Sequence, residues 1–168
     1  MRKLPLFAAA FLWVAGSAGS AKSADLDDLV GCWVTPDPSP VSRLTDGTDP
    51  NSAATAETMS LLLFNRIRDT DYLVFGSLFE WSEDSRSVSG PVFKNGVFDP
   101  LSETLTFGSP GGGFARAHLT EDDTLIYTWT VSSAEMSVMS VREMERVECD
   151  DARQLSEALL ERQRVSAD

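Results

Sequence analysis

Leu125-Ile126-Tyr127-Thr128-Trp129-Thr130-Val131 sets large apolar side chains at every second position and interleaves them with Ile126, Thr128 and Thr130. Successive side chains of an extended strand point to opposite faces, so this stretch predicts a strand with Leu125, Tyr127, Trp129 and Val131 on one face. The pattern recurs on either side. Residues 72–81 place Leu73, Phe75, Phe79 and Trp81 on one face, and Leu105 and Phe107 alternate with Thr104 and Thr106. Residues 30–35, 59–65, 88–98, 114–119 and 136–148 complete the set. Between these runs stand polar turns, among them Arg68-Asp69-Thr70-Asp71, Asp99-Pro100-Leu101-Ser102-Glu103, a glycine loop at 108–113, and Glu121-Asp122-Asp123. Eight or nine short strands with turns every 8–12 residues or so are the mark of an antiparallel sandwich or barrel. No helical pattern falls between strands, which argues against βαβ units.

Two segments break the rhythm. Residues 36–58 hold Pro36, Pro38, Pro40, Asp46-Gly47 and Asp49-Pro50 without periodicity, and read as one long loop that would cover a barrel mouth. Residues 150–168 read as a helix and tail. Asp150 or Asp151 caps the helix, Ala152, Leu155, Leu159 and Leu160 form a narrow apolar stripe, and Arg162 and Arg164 sit at its C-terminal end. The Asn95-Gly96 pair signals a hairpin turn or a bulge.

The N-terminus reads as an address. Arg2 and Lys3 precede an apolar stretch at 4–14 and a run of small residues at 15–21, the layout of a secretory signal peptide cut after Ala21. The expected organisation is a leader at 1–21, one β-domain at 22–149 and a C-terminal helix. The chain carries 26 acidic and 14 basic residues for a net charge of −12, and losing Arg2 and Lys3 would take it to −14. Such a balance argues against nucleic acid, which needs clustered cations, and against docking on anionic lipid. No stable membrane insertion is expected after cleavage, because the apolar stretch falls short of the roughly 20 residues of a span.

Cys32 and Cys149 are the only cysteines, one in the first strand and one at the end of the last. In a closed meander with an even number of strands the first strand pairs antiparallel with the last. Those two residues then become neighbours, and an exported protein would join them. Leu29-Val30-Gly31-Cys32 mimics a lipidation box, but Asp25, Asp27 and Asp28 separate it from the apolar leader.

Gly31-Cys32-Trp33, a Gly-x-Trp at the opening of strand one, together with the strand pattern over about 120 residues, resembles a lipocalin or, more broadly, a calycin-type barrel. The resemblance implies that Trp33 caps the closed end under a basic residue of the last strand. Parity offers Arg146 first and Arg142 second. A β-sandwich with Trp33 as an ordinary core residue is the alternative fold.

Catalytic patterns are sparse. His118 is the single histidine, no Gly-x-Ser-x-Gly elbow occurs, and Gly111-Gly112-Gly113 lacks the Lys of a phosphate loop. Glu80, Glu83 and Asp84 form at most a weak carboxylate group. No enzyme activity, metal or cofactor is expected. The expected site is the barrel interior, lined by Leu73, Phe75, Phe79, Trp81, Leu105, Phe107, Leu125, Tyr127 and Trp129 and suited to a small apolar or amphipathic molecule. The alternative is a packed barrel whose acidic surface binds a protein partner or acts as an inhibitor.

Overall fold

The computed structural model describes residues 24–44, 53–68, 70–82, 87–108, 113–132 and 137–167; the leader at 1–21 and its cut after Ala21 lie outside them. From β3 (Ala53–Arg66) the chain runs through β4 (Leu73–Trp81), β5 (Val88–Asp99), β6 (Thr104–Gly108), β7 (Phe114–Leu119) and β8 (Leu125–Ser132) to β9 (Ser137–Val147). Each strand pairs antiparallel with the next. The remaining gap between β9 and β3 is filled by β1 (Gly31–Val34) and β2 (Ser39–Leu44), each of which pairs with both. The sheet is therefore an antiparallel barrel closed on itself, and the sandwich alternative falls. Closure removes the exposed edges that an open meander would present.

β1 and β2 run in the same direction and occupy one position of an eight-position barrel. Residues 35–38 lie between them and stand opposite only Met59 and Ser60 of β3. Two surplus residues leave the in–out parity intact, so Trp33 and Val41 share the inner face. This corrects the reading of 36–58 as a single long loop. Residues 39–44 are strand paired with 53–58, and only 45–52 lie outside the described residues. The prolines misled because they mark an interruption within a strand. Pro36 and Pro38 sit in the bulged segment, and Pro40 precedes the first residue of β2 that pairs with β9.

One end of the barrel is plugged. Asp25 caps the single turn α1 (Leu26–Leu29) by accepting from the N–H groups of Asp27 and Asp28, and the turn presses Leu26 and Leu29 into the interior. The Trp33 indole N–H donates to the Leu29 carbonyl at 3.0 Å. Arg146 lies opposite Trp33 on β9 with its guanidinium 4.4 Å from the ring centroid, and it donates to the carbonyls of Val30, at 2.9 Å, and Asp28. One arginine thus stacks on the plug tryptophan and ties the end of α1 to the last strand, the role anticipated for it. Arg142 does not share that role. It stands four residues away, about 13 Å along an extended strand, and packs over Tyr127 instead.

The helix α2 (Cys149–Ala167) lies outside the barrel and buries Ala152 and Leu159 against Leu61, Phe79 and Trp81. Cys149, the first residue of α2, is bonded to Cys32 across a Cα–Cα distance of 5.3 Å and a sequence separation of 117 residues. The Cys32 sulfur is therefore not free for lipid attachment. Closing so long a loop removes much of the disorder of the unfolded chain. Reduction, or Cys149→Ser, is expected to lower the unfolding free energy by about 4 kcal/mol. Urea titration with and without reductant measures this, and coincident midpoints would contradict it.

Candidate functional site

The inner face follows from the register. Even positions of β3, β4 and β9, even positions of β5 from Val92 onward, and odd positions of β6, β7 and β8 point inward, which gathers Trp33, Leu62, Phe64, Val74, Leu78, Phe98, Leu105, Phe107, Leu125, Tyr127 and Met144 into one buried cluster. Leu105, Phe107, Leu125 and Tyr127 stand where the alternation put them, and Trp129 packs against the same cluster. Phe107 stacks on Phe64 with centroids 5.0 Å apart. Gly96 exists for that contact rather than for a turn, since a Cβ there would come within 2.5 Å of the Phe107 ring. The irregularity of β5 lies instead at Gly90-Pro91, opposite Phe79; Gly90 has φ +117° and no space for a side chain beside the Leu78 carbonyl.

Four expected lining residues are on the other face. Val74 and Leu78 point inward on β4, so Leu73, Phe75, Phe79 and Trp81 point outward. Phe79 and Trp81 are buried beneath α2, Leu73 is half-buried, and Phe75 is exposed and stacked on Phe93 at 5.5 Å. A strand covered by the barrel core on one side and a helix on the other is apolar on both faces, so alternation cannot tell inside from outside. Trp81 does reach the cavity described below, at the rim.

Above the apolar plug the interior turns polar. Lys94 and Arg142, 4% and 0% exposed, enter from β5 and β9. The Lys94 ammonium donates to the Tyr127 hydroxyl at 2.7 Å and lies 5.4 Å from the Tyr127 and 5.5 Å from the Trp129 ring centroids. Arg142 donates through Nη1 to Ser140 Oγ at 2.8 Å and through Nη2 to Glu80, whose side chain is 23% exposed. Among the described residues, Arg142 Nε and the Trp129 indole N–H are buried without a partner. Burial holds the Lys94 pKa down at about 8, with Arg142 adding to the effect and Glu80 opposing it. Burial also pushes the Tyr127 hydroxyl above its usual range, so it keeps its proton. Sequence reasoning missed Lys94, weighed Glu80 only within a weak carboxylate group with Glu83 and Asp84, and gave Arg142 another role. The available signal was a charged residue at an inward position of an otherwise apolar strand.

Beyond this layer the barrel opens into a cavity of about 530 Å³, lined by Val41, Ala54, Ala56, Thr58, Val138 and Trp129 with Glu80 at its base. That volume falls within the range of small-molecule sites, roughly 300–1,000 Å³. His118 lies exposed on the outer face of β7 beside Arg116 and Phe114, away from the cavity. Glu83 and Asp84 fall outside the described residues.

The sequence matches no protein-family model and no curated relative. The barrel fold is common ground with calycins. Kinship is not shown.

The polar layer makes stability depend on pH. At neutral pH the folded barrel must hold Lys94 charged against its burial, which weakens the fold. Between pH 8 and 10.5 the unfolded chain keeps this proton while the folded barrel releases it, so the penalty fades as pH rises. Wild type is expected to gain about 2 kcal/mol relative to Lys94→Met between pH 7 and pH 10. Parallel urea titrations of the two proteins would show it, and identical pH profiles would refute it.

Proposed function

We propose that this protein is an exported, non-enzymatic carrier of the lipocalin type, holding one small amphipathic molecule in the open half of its barrel. The carrying observation is the cavity of about 530 Å³, apolar along Val41, Ala54, Ala56 and Val138 and polar at its base. An apolar wall with a few polar groups at one end matches a ligand that has a tail and a head. Export draws support from the leader-like sequence at 1–21 and from the Cys32–Cys149 bridge, since disulfides persist in oxidising compartments. The plug of Trp33 and Arg146 supports the lipocalin comparison, because it closes the barrel end where that family places its tryptophan.

Ala56 points into the cavity from β3, and a tryptophan there would fill much of the space. A lipophilic fluorescent dye is expected to bind the wild-type protein with micromolar affinity and the Ala56→Trp variant at least about tenfold more weakly. Equal dye binding by both proteins, or none by either, would overturn the reading.

A further inference from the structure

The bulge at Gly90-Pro91 turns part of β5 over. From Val92 onward the even positions of β5 face inward, but before the bulge Ser89 stands opposite the inward-facing Glu80 of β4. A bulge re-aims the side chains beyond it. Ser87 and Ser89 therefore line the cavity from the hairpin end of β5, next to Glu80 and Ser82 at the end of β4. This wall bears hydroxyls and one carboxylate, whereas the wall formed by β9, β2 and β3 is the apolar one described above.

Glu80 is the one charged residue among those lining the cavity. Its side chain is partly exposed, while Arg142 and Lys94 are buried and do not line the space. A carboxylate has about four acceptor sites, and Arg142 reaches this one at a single oxygen, Oε1. Acceptor capacity is left at Oε2. The arrangement selects by charge. An acid head would press one carboxylate against another. A cationic head would add a third positive charge to a layer where Arg142 and Lys94 already outnumber Glu80. A neutral head meets neither penalty, and its O–H groups gain from an ionised acceptor. The serine hydroxyls beside Glu80 both donate and accept, so a second hydroxyl on the same head also finds a partner.

We infer that the bound amphiphile carries a neutral head with vicinal hydroxyl groups, held by Glu80 and Ser89, while its tail lies along the apolar wall. This inference rests on the carrier reading and adds the class of the headgroup, a polyol. Glu80 and Ser89 occupy paired positions of β4 and β5, and side chains so placed start about 5 Å apart. Two adjacent hydroxyls span that gap, one donating to the carboxylate and one meeting the serine. A lone hydroxyl reaches one of the two. Glycerol esters and alkyl glycosides share this chemistry.

Calorimetry on the full, oxidised chain at pH 7 tests this with 1-decanoylglycerol, decyl glucoside, decanol, decanoate and decylamine. The better of the two polyols is expected to bind at least about tenfold more tightly than decanol, decanoate or decylamine, and which polyol leads tells a glycerol ester from a glycoside. Glu80→Gln keeps the shape and removes the charge, and should bring that polyol within about threefold of decanol. Because this change leaves Arg142 without its anion, Ser89→Ala supplies a second arm at an exposed position. It should weaken the polyol about threefold and leave decanol binding unchanged. Decanol, decanoate or decylamine binding wild type as tightly as both polyols would overturn the headgroup inference and leave the carrier reading standing. So would an undiminished polyol preference in either variant. Failure of all five amphiphiles and of the dye would remove both.

Discussion

Antiparallel pairing of β1 with the end of β9, Cys32 opposite Val147 and Trp33 opposite Arg146, turns an open meander into a tube. Every other feature of the molecule depends on that seam. It creates an interior distinct from the outer surface, brings Arg146 over Trp33, and leaves Cys149 beside Cys32 as the chain turns into α2. The seam itself is short, three residues of β1, and gains its strength from neighbours. The disulfide pins its outer side, while on the inner side the Arg146 guanidinium joins the tryptophan ring to two carbonyls near the end of α1.

Closure could be read from the sequence because two independent signals agreed on it. The alternation on β6 and β8 is unambiguous, since Thr104, Thr106, Thr128 and Thr130 declare the opposite face. The two cysteines and Gly31-Cys32-Trp33 then placed the chain ends together. Where a strand carries apolar residues on both faces, the same logic fails. On β4 the larger side chains, Phe75, Phe79 and Trp81, point outward, and the smaller Val74 and Leu78 point in. Size is no guide to burial when a helix covers part of the outside. Whether Phe79 and Trp81 belong to the barrel or to the helix contact depends on where α2 docks, a non-local fact.

The polar layer was hidden for a related reason. Glu80, Lys94, Tyr127 and Arg142 are scattered over 62 residues of sequence, and each alone is unremarkable in a chain so rich in charge. Only the register sets them level. A lysine between Phe93 and Asn95 reads as surface until Gly96 and Phe98 are known to face inward with it. The long stretch 36–58 misled in the opposite direction. Proline content suggested a loop, yet β2 tolerates Pro40 because pairing with β9 begins one residue later.

Side-chain size separates the hollow half of the tube from the filled one. Eight positions enclose a space that side chains can just fill. β3, β4, β5, β8 and β9 contribute to both halves. β3 supplies Ala54, Ala56 and Thr58 to the open end and Leu62 and Phe64 to the closed one; β9 supplies Val138 and Ser140 above and Met144 below. Lys94, Tyr127 and Arg142 lie at the boundary between these regimes. Deeper, the charges of Lys94 and Arg142 would be encircled by Trp33, Phe98 and Leu125 with no route to water. Higher, they would be solvated, and their mutual interactions would be screened. At the boundary Glu80 is still 23% exposed while Arg142 is fully buried, so the layer meets the cavity on one side and the apolar plug on the other.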